Sequence, residues 1–160
     1  MALLFWLHML ATVTWVGSLV AMSILILPAS KRTLKPVDQI SFNAAVQKRL
    51  EPVAWFCMGL LLVTGLFQLS LSPHYNGFLS LSTQWSLAML VKHSLAVIMA
   101  VVTAIQTWEV LPAIQRTLLQ KGKAKEEELI RLNKRETLLL RANLALAVLI
   151  LLATAVARAS

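Results

Sequence analysis

Four apolar stretches alternate with polar ones along this chain. The first, Leu3 to Leu27, holds no Asp, Glu, Lys or Arg. Wound as a helix at about 1.5 Å per residue it covers about 37 Å, more than the roughly 30 Å hydrocarbon core of a bilayer. The second runs from Val53 to Leu71, behind Pro52 in the N1-type position that proline tolerates. The third runs from Trp85 to Val110 and closes near Pro112, and the fourth from Thr137 to Ala157. The pattern predicts an all-α integral membrane protein, an up-down four-helix bundle in one domain over 1–160, with spans at 3–27, 53–71, 85–110 and 137–157.

The polar links set the expected topology. Ala29 to Glu51 carries Lys31, Arg32, Lys35, Lys48 and Arg49 against Asp38 and Glu51. Within it, Ile40, Ala44, Val46 and Leu50 fall at loosely helical spacing, which predicts an interfacial helix. The link from Ser72 to Gln84 has the turn formers Pro73, Asn76 and Gly77 and no fixed charge. Arg116 to Glu136 is basic and rich in Lys, Glu and Leu, extending the third and fourth helices beyond the membrane. The positive-inside rule then places both basic links in the cytoplasm, with the uncharged link and both termini outside. This is the expected topology of a multi-pass protein of a bacterial cytoplasmic membrane.

Composition narrows the class further. The chain is 58% hydrophobic, against the usual soluble share of about 45–50%. The first stretch lacks a basic leader and exceeds the roughly 7–15 apolar residues of a signal peptide, so it is expected to be retained. A single cysteine, Cys57, leaves no internal disulfide and no multi-cysteine metal cluster; it reads as a small buried hydrophobe. The net charge of +8 lies in blocks between spans, which topology explains better than nucleic-acid binding. The sequence has no Ser/His/Asp set, no Gly-rich phosphate loop and no intramembrane carboxylate pair, which disfavours a hydrolase or a nucleotide-driven pump.

The candidate chemistry lies in the outer half. By helical rise His8 sits roughly 9 Å and His93 about 13 Å below the outer surface. A histidine in a span is costly unless something binds it. Two imidazoles on facing helices can grip a copper ion or a haem iron, here haem b. The alternative is two separate histidines, each bonded to a carbonyl or hydroxyl. Lys92 adjoins His93, whereas all seven carboxylates fall on the cytoplasmic side. Its ammonium therefore loses its proton, snorkels, or meets an anion the sequence does not encode, such as haem propionates that Arg158 would help to hold. Met89 shares a helix face with His93 and offers a thioether. Trp15, one heptad from His8, is expected to line a cavity below it. His74 reads as a solvated loop residue near the mouth. Trp6 and Trp85 at one interface and Trp55 and Trp108 at the other suit an aromatic belt. Arg141 and Asn143 are expected to reach Glu109 or Glu136 in an inner-edge ion pair.

Short motifs resemble the copper-resistance protein D family: His8 followed by Trp15-Val-Gly17 and Pro28, Lys48-Arg49 leading to Thr64-Gly65, Leu90-Val-Lys92, and Leu132-Asn133 before Glu136-Thr-Leu-Leu-Leu140. The last is also similar to HemJ-type protoporphyrinogen oxidases. The resemblance implies a four-helix membrane domain whose first-helix histidine binds haem or copper, and for the HemJ type an oxidation of protoporphyrinogen. The leading expectation is a copper-resistance D type membrane protein. It would bind haem b or copper through His8 and His93, with Met89 as a further metal ligand and Lys92, Trp15 and Arg158 around the bound group. Two alternatives stand beside it: a haem-dependent porphyrinogen or quinol oxidase, and a small subunit of a respiratory or photosynthetic membrane complex.

Overall fold

The computed structural model describes residues 2–71, 84–120 and 123–159, without the side chains of 123, 124, 158 and 159. It contains α1 (Ala2–Thr33), α2 (Pro36–Ser70), α3 (Gln84–Leu118) and α4 (Lys123–Ala159). All four are long and apolar enough to cross a membrane, and no strand occurs among the described residues. The protein is an all-α four-helix membrane bundle. Helix α1 packs along α2 and α3 along α4. These two hairpins meet where α1 touches α4 and, at the end carrying the basic residues, where α2 touches α3.

The interior has two apolar clusters. One joins Trp15, Leu19 and Met22 of α1 to Cys57, Met99, Leu140 and Ala147. The other, toward the basic end, joins Ile40 and Ala44 to Val110, Leu111, Ile114 and Leu129. Many large apolar side chains point outward instead, among them Phe56, Leu138 and Val97. For a chain solvated by lipid tails that is the expected arrangement, and van der Waals packing of the inward face holds the helices together.

The helices run further than the apolar stretches that predict them. Of the expected link from Ala29 to Glu51, only Leu34 and Lys35 lie between helices. Pro52 does not open the second helix but lies inside it. Ile40 and Ala44 belong to the packed core of α2, not to an interfacial helix. Two other prolines are also absorbed. A proline within a helix removes a hydrogen bond and crowds the carbonyl four residues back. Here a π turn precedes each: Ala21–Ile26 before Pro28, and Gln106–Val110 before Pro112. The Leu27 N–H donates to the Met22 carbonyl and the Leu111 N–H to that of Gln106, five residues back. The wider turn relieves the crowding and the helix continues.

The two π turns stand at matching places. Leu27-Pro-Ala-Ser-Lys-Arg-Thr33 and Leu111-Pro-Ala-Ile-Gln-Arg-Thr117 agree at Leu, Pro, Ala, Arg and Thr. Lys48-Arg49 in α2 answers Lys134-Arg135 in α4. The two hairpins thus share a Leu-Pro-Ala motif behind a π turn and a Lys-Arg pair at roughly corresponding places.

Substitution inside and outside the bundle tests this packing. Ile114→Ala, at a position 0% exposed, is expected to cost about 2–5 kcal/mol. Phe56→Ala, 71% exposed on the lipid side, is expected to cost about 0.5 kcal/mol or less. Thermal unfolding in detergent measures both.

Candidate functional site

His8 is fixed between α1 and α2. Its Nδ1 lies 2.7 Å from the Thr64 hydroxyl oxygen. Thr64 is fully buried, and its own O–H donates to the Leu60 carbonyl at 2.6 Å. A threonine hydroxyl has a single proton, already committed to Leu60, so it accepts from His8 and the imidazole carries its hydrogen on Nδ1. In the neutral ring the lone pair is then on Nε2. A hydrogen bond on one ring nitrogen sets which nitrogen can take a metal. One turn further along, Gln68 donates to the Leu4 carbonyl at 3.4 Å, holding the same two helices together. Gly65 is where they run close: a Cβ there would lie 3.5 Å from His8 Cε1, an ordinary contact that an alanine would tolerate.

The other candidates sit on α3. His93 donates from Nδ1 to the Met89 carbonyl at 2.6 Å, within its own helix. A carbonyl only accepts, so this ring also has its hydrogen on Nδ1 and, when neutral, its lone pair on Nε2. Met89 is thereby tied to His93 through its backbone. Lys92 lies within electrostatic reach of His8, so the fold brings the α1 and α3 levels singled out in the sequence to the same end of the bundle. His74 and the side chain of Arg158 lie outside the described residues.

Trp15 is buried two turns from His8 and lines a partly open cavity of about 40 Å³ with Met22, Gln47, Glu51 and Gln106. Beside it, Asn143 donates to Gln106 Oε1 at 2.8 Å and to Thr103 Oγ1 at 3.1 Å. This corrects the expected inner-edge ion pair. Glu109 pairs with Arg135 at 2.7 Å, Arg141 is exposed, and Asn143 belongs to an amide network. Trp55 of α2 is half-buried against α3. It stacks on Trp108 with ring centroids 5.3 Å apart and donates to Thr107 at 3.3 Å.

Sequence reasoning passed over Thr64 as the partner of His8, and Gln47 and Gln106 altogether. The Thr64-Gly65 pair was the available signal for the first. Nothing in spacing along one helix shows which residue of another helix an imidazole meets.

The copper resistance protein D family model matches residues 44–157. The chain belongs to the copper resistance protein D family. No curated protein and no solved structure matches it. The copper resistance protein D match takes in Thr64, Lys92 and His93 and leaves His8 and the rest of α1 outside. Among the described residues no three His, Cys, Asp or Glu side chains converge. A tetrahedral zinc-type set of three or more such side chains is therefore not formed among the described residues.

The tautomer of His8 is measurable. Nitrogen-15 shifts are expected to show Nδ1 protonated and Nε2 bare in the wild-type protein. Thr64→Val, similar in shape without the hydroxyl, is expected to remove that preference and cost about 1–3 kcal/mol of stability.

Proposed function

We propose that this multi-pass, copper-resistance-type membrane protein binds a metal centre, a copper ion or the iron of haem b, through Nε2 of His8 and of His93. The observation that carries the reading is the hydrogen bond on each Nδ1, from His8 to Thr64 and from His93 to Met89, which directs the lone pair of each neutral ring to Nε2. Metal-bound histidines characteristically have their second nitrogen held in this way. Membership of the copper resistance protein D family supports copper. Lys92, within electrostatic reach of His8, adds a basic side chain that a group with acidic substituents, such as haem propionates, would complement. The thioether of Met89, on the His93 face, suits either metal. The protein lies in a bacterial cytoplasmic membrane, its basic end in the cytoplasm and the histidines toward the outside. The support is the run of exposed Lys31, Arg32, Lys35, Lys48, Arg49 and Arg116 at one end.

The visible spectrum and copper content of the protein purified in detergent test the proposal. A Soret band, or copper retained at a fixed ratio, is expected, and His8→Ala and His93→Ala should each abolish it. Protein with neither band nor copper, before and after addition of haem and of Cu(I), overturns the reading.

A further inference from the structure

The cavity beside Trp15 is lined in part by buried polar atoms that find no hydrogen-bond partner among the described residues. Gln47 Oε1 and Gln106 Nε2 are buried on its wall with no hydrogen bond among the described residues. Asn143 Oδ1, next to Gln106, is in the same state. The orientation of these amides follows from hydrogen bookkeeping. The Thr103 hydroxyl donates to the Met99 carbonyl at 2.9 Å, so it accepts from Asn143, which must present Nδ2. The second Nδ2 hydrogen goes to Gln106 Oε1, and Gln106 is left presenting Nε2. Its side chain is only 4% exposed, so bulk solvent does not reach it directly.

Both π turns build this wall. A wider turn lets neighbouring residues face inward together: Met22 and Ser23 are both buried in the first, and Gln106 and Thr107 in the second. Of these four, Met22, Gln106 and Thr107 line the cavity.

Size and chemistry select the occupant. A water needs roughly 10–15 Å³ of such space, so a cavity of about 40 Å³ takes about three or four. Ligand pockets run to about 300–1,000 Å³, so neither haem nor an organic substrate fits. A bare cation would face the Gln106 Nε2 donor, and an anion would face the Gln47 and Glu51 oxygens. Water alone donates to the acceptors and accepts from the donor. We propose that the cavity between the π turns is a hydration site, holding a small water cluster that exchanges with bulk solvent past Gln47 and Glu51. It gives the bundle a polar interior at the end away from His8.

Radiolytic hydroxyl labelling of the whole protein in detergent, after soaking in oxygen-18 water, reads this directly. Met22 and Met99 are equally hidden, at 1% and 3% exposed, but only Met22 lines the cavity. Oxidation of Met22 with oxygen-18 incorporation is expected to run roughly tenfold faster than that of Met99. Equal rates overturn the proposal. Gln106→Leu is expected to bring Met22 down to the rate of Met99. Should that variant fail to fold, Gln47→Leu on the opposite wall serves, and an unchanged Met22 rate in the folded variant also overturns it.

Discussion

Lipid offers no hydrogen-bond partner, and each polar group in this bundle is placed under that constraint. The backbone answers it by winding almost wholly into helix. Side-chain hydroxyls answer it by bonding back to the carbonyl four residues earlier, as Thr12 does to His8, Thr103 to Met99 and Thr154 to Ile150. Where Pro28 and Pro112 withdraw an N–H, the chain widens into a π turn and does not break. The same rule accounts for His8. An imidazole in an apolar span is held only because Thr64 on the neighbouring helix has a lone pair to offer, its own proton being spent on Leu60.

The two ends of the bundle therefore differ in kind. Around His8 the polar groups are few and act in pairs: one imidazole to one hydroxyl, another to a carbonyl of its own helix. Lys92 on α3 stands within electrostatic reach of His8. Toward the basic end, amides and hydroxyls from α2, α3 and α4 gather near Trp15, and part of their bonding capacity is unmet among the described residues. Such networks are sensitive to substitution because removing one member orphans another.

The likeness of the two hairpins explains the form of the basic half. Two helix pairs, each with a Leu-Pro preceded by a π turn, set two bulged walls across one interior. The match to copper resistance protein D covers most of α2, all of α3 and nearly all of α4.

The sequence by itself determined the number of helices, their identity as membrane spans and the family, because stretches such as Leu3 to Leu27 have no other stable solution in water or lipid. It also singled out His8, Lys92 and His93, since ionisable groups in apolar runs are rare enough to stand out. It misjudged where helices stop. Pro52 and the charged run from Ala29 to Glu51 look like boundaries by local propensity, yet packing of Ile40 and Ala44 against Ile114 carries the helix through them. Partners across helices were decided by tertiary structure alone: Thr64 for His8, Arg135 for Glu109, Gln106 for Asn143. Local periodicity fixes which face of a helix a residue occupies, but the neighbour it meets depends on how two helices dock, a sum of many small contacts that no short motif encodes.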